Sequence, residues 1–342
     1  MKFDPRKQRS ALFSQKKRRG PILPISLVVL LLLIALFSLI TPYQFISNFN
    51  PVNVKVPTPT PSPTPLPFPT GIHGGQIVFT CTRKNINQIC LINADGSGFV
   101  QLTNETSNAY YPAISPRGES VVFALNQYDY FDLYLITLAD NKLIQLTDNI
   151  GNSFSPVFSP DGRQILFVNR VGNGLSAIWV MGSKGEKPHQ LYMGSRDIVG
   201  ATWSPDGSSI AFAMEVDSAY TFEIFTISLG DLTSQPRRLT HGLSGIGGSI
   251  DWAPDGKTLV IFAGPVQARE VYRINVADGK ITQLTFGGNN AAASYSPDGQ
   301  YIVYNSLRNN NQADLYIMRS DGHSTRQLTD FPDPDWQPKW GP

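Results

Sequence analysis

A short turn motif, Ser-Pro-Asp-Gly or a close variant, recurs at almost even intervals and limits the possible folds more than any other feature. Its copies begin at Ser115, Ser159, Ser204, Ala253 and Ser296, and Gly341-Pro342 stands where a sixth copy would begin. The prolines of these copies lie 44, 45, 49, 43 and 45 residues apart. A leucine, followed in five cases of six by threonine, keeps the same interval at Leu102, Leu146, Leu191, Leu239, Leu284 and Leu328. Periods of about 40–45 residues are typical of β-propeller blades.

The residues of one repeat predict four strands. Ser159-Pro160-Asp161-Gly162 matches a type I turn, in which serine caps the first position, proline fixes φ at the second and glycine ends the turn. Apolar segments precede it at 156–158 and follow it at 165–168. A third strand is predicted at 177–181, and a fourth ends near Leu191. A lone four-stranded sheet cannot cover its apolar faces, so such blades must stack around an axis.

The sequence also predicts what fills the gaps between blades and how the ring closes. Gln76–Thr80 matches a second strand without its own first strand, and Trp336–Trp340 matches a first strand with nothing after it. Together the two chain ends complete one blade and remove an open sheet edge. The chain is therefore predicted to be all-β, with six blades. A column of bulky residues is expected to pack between them: Ile114, Phe158, Trp203, Trp252, Tyr295 and Trp340.

The repeat, with its Pro-x-aromatic-Ser-Pro-Asp-Gly and Gln-Leu-Thr marks, resembles the TolB-type β-propeller repeat, which is akin to WD repeats. The resemblance covers residues 71–342 and implies the fold rather than a particular function. In TolB itself, a periplasmic protein, a small α/β domain precedes the propeller. Other segments occupy that place here, so the resemblance does not extend to the Tol–Pal role of TolB.

The residues before the propeller predict a membrane anchor and a spacer. Nineteen uncharged, mainly apolar residues, 22–40, are long enough to span a bilayer, so a transmembrane helix is predicted at 21–41. A cleaved signal peptide is the alternative, but its apolar region is usually shorter. Prolines recur throughout 51–70, which favours an extended linker over residues 42–70.

Charge is concentrated in the first twenty residues. The net charge is +2, but residues 1–20 hold eight Lys or Arg and Asp4, which gives +7 and leaves −5 for the rest. Basic residues stay on the cytoplasmic side of a membrane, so this tail is predicted inside the cell and the propeller outside. The propeller lacks the basic stripe that nucleic-acid binding needs. We therefore expect no nucleic-acid partner.

The two cysteines of the chain, Cys81 and Cys90, lie on consecutive predicted strands of one blade. An even cysteine count outside the cytoplasm favours a disulfide. A hairpin folded about Asn85 and Ile86 would place the two cysteines directly opposite each other. Two separate buried thiols are the alternative.

The mouth of the axial channel is the predicted binding site, because variable loops on a rigid scaffold often carry function. Aromatic side chains collect in the loops that should form it, and tyrosine and tryptophan combine contact area with a polar group. Packing between neighbouring loops is the alternative role for them. The candidate binding residues are Tyr110, Tyr111, Tyr128, Tyr130, Phe154, Tyr220 and Trp336.

Two classes of function stay open at this point. The favoured one is a membrane-anchored binding or scaffolding propeller for an envelope protein, peptide or glycan. The alternative is an envelope hydrolase or lyase that acts on polysaccharide or peptide through loop carboxylates such as Asp129, Asp132 or Asp335. The sequence contains no Gly-x-Ser-x-Gly elbow and no phosphate-binding loop, and no cofactor is expected.

The aspartates invite a metal-binding hypothesis as well. Asp330, Asp333 and Asp335 lie within six residues, and hard cations prefer carboxylate oxygens. Their spacing is not that of a known calcium loop, so a solvated acidic loop is the alternative, and no metal is predicted. The recurring aspartates of the Ser-Pro-Asp-Gly copies are expected to stabilise the turns themselves.

Overall fold

The computed structural model describes residues 74–127, 130–216, 220–309 and 311–342. The predicted tail, transmembrane helix and linker lie outside these residues, and so do Tyr128 and Asp129. The described residues form twenty-four β-strands and no helix. This confirms the all-β prediction for the repeat region.

The strands form six four-stranded antiparallel sheets, which are the six predicted blades. Blade 1 consists of β24 (Asp335–Trp340), β1 (Gln76–Arg83), β2 (Ile86–Asn93) and β3 (Val100–Gln101). Blade 2 consists of β4 (Ala109–Ile114), β5 (Ser120–Gln127), β6 (Tyr130–Thr137) and β7 (Leu143–Gln145). Blade 3 consists of β8 (Asn152–Phe158), β9 (Gln164–Arg170), β10 (Ser176–Gly182) and β11 (His189–Tyr192).

The remaining three blades repeat this order. Blade 4 consists of β12 (Ile198–Trp203), β13 (Ser209–Glu215), β14 (Phe222–Ser228) and β15 (Arg237–Arg238). Blade 5 consists of β16 (Ile250–Trp252), β17 (Thr258–Ala263), β18 (Glu270–Asn275) and β19 (Ile281–Gln283). Blade 6 consists of β20 (Asn290–Tyr295), β21 (Tyr301–Asn309), β22 (Gln312–Arg319) and β23 (Arg326–Gln327).

The first strands of neighbouring blades contact one another all the way round the ring, so they surround the axis. Each Ser-Pro-Asp-Gly copy joins a first strand to a second strand, which places all the copies at one end of the propeller, here called the turn face. The other end is the mouth. It is formed by the connections from second to third strands and from each fourth strand to the next blade.

The hydrogen bonds of the turn explain why the motif recurs. The Gly162 amide donates to the Ser159 carbonyl at 2.9 Å, which closes the turn as predicted. The Ser159 hydroxyl donates to Asp161 Oδ1 at 2.6 Å and accepts from the Gln164 amide at 2.9 Å. Asp161 Oδ1 also accepts from the Arg163 amide at 3.0 Å. The aspartate therefore serves the turn, as expected from its recurrence.

Six hydrophobic clusters hold the ring together, and each lies between two neighbouring blades. This arrangement buries the apolar faces that a single blade leaves uncovered. The predicted column of bulky residues contributes one member to each cluster. In chain order they are Ile114, Phe158, Trp203, Trp252, Tyr295 and Trp340.

The two ends of the described chain complete blade 1, as predicted. β24 pairs antiparallel with β1, with Trp340 opposite Ile77. The Gly341 amide donates to the Gln76 carbonyl at 2.8 Å, and the Gln76 amide donates to the Pro342 carbonyl at 3.2 Å. These bonds join the residues that follow β24 to the start of β1. They take the place of the turn that joins the first and second strands in the other blades. The ring is thus closed without an open edge.

The threonine of the Gln-Leu-Thr mark ties the short fourth strand to the third in five of the six blades. Thr285 Oγ1 accepts from the Val271 amide at 2.9 Å and donates to the buried Glu270 at 2.5 Å. Blade 3 departs from the pattern, because Tyr192 replaces the threonine and Ser176 replaces the acceptor. The same threonine-to-acceptor bond occurs in blades 1, 2 and 4, where the pairs are Thr103 with Gln88, Thr147 with Asp132, and Thr240 with Glu223.

The predicted disulfide between Cys81 and Cys90 is present, with the two Cα atoms 5.9 Å apart. The predicted register was wrong, because Cys81 lies opposite Gln88. The hairpin turns at Lys84 and Asn85, whose φ angles of 52° and 65° suit a tight two-residue turn. A register shift of two residues keeps both cysteines on one face of the sheet, so the disulfide forms along a diagonal.

Candidate functional site

The first strands of the six blades surround a cavity of about 590 Å³ that opens at the mouth. Every blade contributes to its lining through the middle or mouth-side part of its first strand. The lining differs from blade to blade in size and polarity, although the strands that carry it are equivalent. A repeated scaffold with variable lining is the arrangement that a specific binding site requires.

A ring of β-bulges shapes this cavity. Tyr111, Ser155, Ala292 and Gln337 stand five residues before the turn proline of their repeat, and their φ angles lie between 50° and 53°. The strand register slips at each of these positions. A left-handed conformation costs a non-glycine residue about 1–3 kcal/mol, and bulges redirect side chains near binding sites. Gly200 occupies the equivalent position in blade 4.

Tyr111 and Phe154 line the cavity on blades 2 and 3, and both belong to an aromatic cluster. The ring of Tyr111 lies 6.3 Å from the rings of both Phe131 and Phe154. Tyr110 packs edge-on against Phe131 at 5.8 Å. Such tilted and edge-on contacts are the favoured geometries for aromatic pairs. Phe131 was not among the predicted binding residues, although it directly follows the predicted Tyr130.

The predicted aromatics fall into two groups. One group lies around the cavity, but on strands rather than on the predicted loops, because the first strands extend into the mouth: Tyr110 and Tyr111 on β4, Phe154 on β8 and Trp336 on β24. The other group stands at the rim, where Tyr130 is 64% exposed and Tyr220 is 86% exposed. The predicted Tyr128 lies outside the described residues. Three of the seven, Tyr111, Phe154 and Trp336, therefore line the cavity, and Tyr110 packs beside Tyr111.

Amides and cations form the opposite wall. Gln337 Oε1 accepts from the Tyr111 amide at 2.9 Å, which links the two walls. Lys339 forms an ion pair with Asp251. Arg269 stacks over the Phe262 ring at 5.4 Å and has no ion pair within the described part of the chain. The described lining contains no aspartate or glutamate, so this wall favours a ligand group that accepts hydrogen bonds.

The rim of the mouth carries most of the exposed large apolar side chains of the described residues, and the sequence predicted only part of this rim. Eleven large hydrophobic or aromatic side chains are exposed among the described residues. Eight of them lie at the mouth: Tyr111, Tyr130, Val171, Leu175, Met193, Tyr220, Val266 and Phe286. Phe286 and Val266 are 79% and 75% exposed. Phe286 is followed by Gly287-Gly288, and an apolar side chain in such a turn-rich connection was the available signal. The predicted binding residues did not include it.

Of the carboxylates considered for catalysis, the two that the structure describes, Asp132 and Asp335, do not line the cavity. Asp335 is fully buried at the start of β24, where burial raises its pKa to about 7, and Arg83 lies 3.6 Å away. Asp132 accepts from the Thr147 hydroxyl at 2.8 Å, and burial raises its pKa. Asp129 lies outside the described residues. Asp132 and Asp335 are thus used in contacts between strands.

The acidic loop before β24 does not gather its side chains. Asp335 turns inward, whereas Asp330 is exposed. The described part of the chain contains no group of three or more His, Cys, Asp or Glu side chains placed to hold a metal ion. None of the described segments includes a helix long and apolar enough to cross a membrane.

A second groove, of about 720 Å³, lies on the turn face between blades 4 and 5. The recurring turns predict a nearly identical turn face in every blade, but the groove at the equivalent position between blades 6 and 1 measures only about 220 Å³, so the size of this groove marks a departure from the repeat. Its lining includes Trp252, the turns at Ser204 and Pro254, and Arg237.

Comparisons with known proteins agree with this architecture. The family model described as the TolB beta propeller domain matches residues 73–229 and 177–342. The crystal structure of TolB from Acinetobacter baumannii superposes with a TM-score of 0.67 at 23% identity, covering 80% of this chain and 69% of that one. A putative TolB from Agrobacterium tumefaciens superposes with a TM-score of 0.60 at 21% identity, covering 78% and 98%.

Curated relatives match shorter segments. An uncharacterised protein of Agrobacterium fabrum is 33% identical over 140 residues, which is 41% of this chain and 46% of that protein. The Tol-Pal system protein TolB of Anaeromyxobacter dehalogenans is 30% identical over 89 residues, or 26% of this chain and 20% of that protein. The chain therefore spans less than half the length of these curated relatives.

Proposed function

Because this chain belongs to the TolB β-propeller domain family, we propose that it is a binding module that docks an envelope protein or peptide at its mouth. The apolar rim carries the proposal, since eight of the eleven exposed large hydrophobic side chains among the described residues lie there. Large apolar side chains that are exposed together at one end of a domain are typical of an interaction site. The turn face offers mainly the polar side chains of the repeated turns.

The axial cavity supports the same assignment. Its aromatic wall would pack an apolar side chain of the partner, while Arg269 and the amide of Gln337 would bind a carbonyl or carboxylate group. A flat rim around a central cavity suits a protein surface from which one segment projects. Because the described lining has no carboxylate, an acidic or chain-terminal segment fits better than a basic one.

Site-specific photocrosslinking of the full chain in cells tests this docking. A photoreactive residue in place of Phe286 or Tyr220 is expected to form a discrete protein adduct, because both side chains project from the rim. The matched control is the same residue in place of the exposed Lys257 on the turn face. Adducts formed only from position 257 would show that the partner does not dock at the mouth.

Truncation then measures the affinity of the captured partner. Tyr220→Ala and Phe286→Ala are expected to weaken binding by about tenfold or more if these rings are interface anchors. Both side chains are largely exposed, so the melting temperature should change little. Unchanged affinity in both variants would show that the rim aromatics do not hold the partner.

We also propose that residues 21–41 anchor the protein in the cell membrane, with the tail of residues 1–20 in the cytoplasm and the propeller outside. Nineteen mainly apolar residues preceded by eight basic ones support this topology. The Cys81–Cys90 disulfide suits an oxidising compartment. Protease added to intact cells or spheroplasts should release the propeller and leave a small membrane fragment. A soluble mature protein that begins near Thr41 would instead show a cleaved signal peptide.

A further inference from the structure

The groove between blades 4 and 5 coincides with two departures from the repeat. The connection between β14 and β15, residues 229–236, has eight residues, whereas the equivalent connections have five or six: 94–99, 138–142, 183–188, 276–280 and 320–325. Ala253 replaces the serine that begins every other complete turn motif. The longer connection contributes to the spacing between turn prolines, which is longest here at 49 residues. Both changes affect residues that line the groove.

The long connection builds one end of the groove. It is followed by Arg237, which reaches across to blade 5 and donates to the carbonyl oxygens of Val276 at 2.9 Å and Ala277 at 2.5 Å. This bridge joins the two blades on the outer side of the groove. Arg237 is therefore held by protein carbonyls and serves as a wall rather than as a free cation.

The missing serine changes the chemistry of the aspartate in the next turn. In blade 4, Asp206 Oδ1 accepts from the hydroxyls of Ser204 and Ser208, and Oδ2 accepts from Ser208 as well. In blade 5, Asp255 accepts from the Lys257 amide and has no serine donor at position 253. Asp255 therefore accepts fewer hydrogen bonds from the protein than Asp206 does, and it lines the groove, where its carboxylate can accept hydrogen bonds from a ligand.

The remaining lining combines an apolar platform with hydroxyl groups. The indole of Trp252 is partly buried and lines the groove together with Pro205 and Pro254. Serine and threonine side chains border this platform: Ser208, Ser209, Thr226, Ser228 and Ser234. A flat apolar surface with a border of donors and acceptors complements a pyranose ring, which has a C–H face and hydroxyl groups at its edge.

Other ligand classes fit this groove less well. Two carboxylates, Asp206 and Asp255, disfavour a phosphate or an acidic chain. The short β15, only Arg237–Arg238, offers little edge for an added peptide strand. From these contacts we propose that the turn-face groove binds a neutral saccharide, with Asp255 as an acceptor for its hydroxyl groups. This site is separate from the mouth and does not depend on the proposed partner there.

Titration of the full chain in detergent with neutral tetrasaccharides tests the proposal. Cellotetraose, maltotetraose and chitotetraose are suitable probes, monitored by calorimetry and by the change in tryptophan fluorescence. At least one is expected to bind the parent protein. Asp255→Ala should weaken that binding by about tenfold, as expected for lost hydrogen bonds to a charged acceptor.

The chain supplies a matched control for this variant. Asp298 holds the equivalent turn position in blade 6, outside the groove, so Asp298→Ala should leave the affinity unchanged. Trp252→Phe keeps an apolar ring in the inter-blade core and should reduce the fluorescence change on binding. Absence of binding by all three tetrasaccharides would overturn the proposal. Equal loss in the Asp255 and Asp298 variants would do so as well, because it would show an effect on folding rather than on contact with the ligand.

Discussion

At the scale of single residues, the repeat is held by a few buried hydrogen bonds rather than by hydrophobicity alone. The Thr285 hydroxyl joins the Val271 amide to the Glu270 carboxylate, and equivalent bonds recur in other blades. A buried acceptor left without such a donor costs about 1–3 kcal/mol. Asp335 is one exception at this scale, because it is fully buried at the closure between β24 and β1 and neither carboxylate oxygen has a well-formed hydrogen bond.

Asp335 should make the stability of the propeller depend on pH. Burial raises its pKa in the folded chain to about 7, whereas an unfolded aspartate has a pKa of about 3.9. Between these values the folded chain keeps the proton and the unfolded chain loses it. The contribution of protonated Asp335 to the free energy of unfolding is therefore fully present below about pH 4. It is lost as the pH rises to about 7, and the free energy of unfolding changes little with this group above that pH.

The Asp335→Asn variant tests this linkage through melting temperatures measured from pH 5 to pH 8. Asparagine resembles the protonated carboxyl group and does not ionise, so the variant should gain stability over the parent as the pH rises. Asp298→Asn, on the exposed turn of blade 6, serves as the control. Parallel curves for the parent and the Asp335 variant would show that Asp335 ionises normally in the folded chain.

At the scale of strands, the bulged first strands determine the shape of the cavity. Four blades have a residue with positive φ at the same position of the repeat, where the strand bulges. In blade 4 this position is Gly200, and the backbones of blades 4 and 5 come close together there. A Cβ at Gly200 would lie 1.8 Å from the Gly248 carbonyl oxygen. A Cβ at Gly248 would lie 2.2 Å from the Val199 carbonyl oxygen. These glycines permit a close backbone approach that no other residue type allows.

Gly200→Ala is expected to destabilise the propeller, because the added methyl group collides with backbone that cannot move without shifting a strand. Overpacking of this kind typically costs about 1–3 kcal/mol, or several degrees in melting temperature. Gly230→Ala is the matched control, since its Cβ would meet only the Ser228 hydroxyl at 3.6 Å. Equal melting temperatures for the two variants would contradict the close backbone contact between β12 and the residues before β16.

At the scale of the whole molecule, the closed ring decides stability. Each inter-blade cluster needs both of its blades, and blade 1 needs residues from both ends of the repeat region. Trp340 packs in the cluster between blades 6 and 1. Loss of β24 therefore removes an inner strand, uncovers two blade faces and leaves β1 with an open edge.

Deletion of residues 335–342 should lower the melting temperature strongly or cause aggregation. Loss of one buried aromatic typically costs about 3–5 kcal/mol, a large part of the 5–15 kcal/mol that stabilises a domain. Placing the same residues on the N-terminal side of Gly75 should restore the fold. In that variant, residues 335–342 are joined through Asp-Gly to Gly75, which reproduces the spacing from Trp203 to Ile210 in blade 4. A truncated chain as stable as the parent would refute closure by β24.

Much of the architecture was predictable from particular residues. The spacing of Ser159, Ser204 and Ser296 gave the blade period, and the unpaired segments around Ile77 and Trp340 gave the closure. The hairpin register was misplaced because Lys84 and Asn85 both adopt positive φ, which for lysine has no clear sequence signal. The predicted mouth aromatics were partly assigned to loops because strand ends cannot be located within a few residues from sequence alone.

Local spacing was enough to establish the number of blades, the turn chemistry and the column of bulky residues, because every repeat shares that spacing. Which side chains meet across blades became known only from the folded ring. The cavity wall of Tyr111 and Gln337 joins residues 226 positions apart, and the groove beside Trp252 depends on Asp255 and the distant connection 229–236. Such contacts depend on how neighbouring blades pack, and packing is a property of the closed ring rather than of any one repeat.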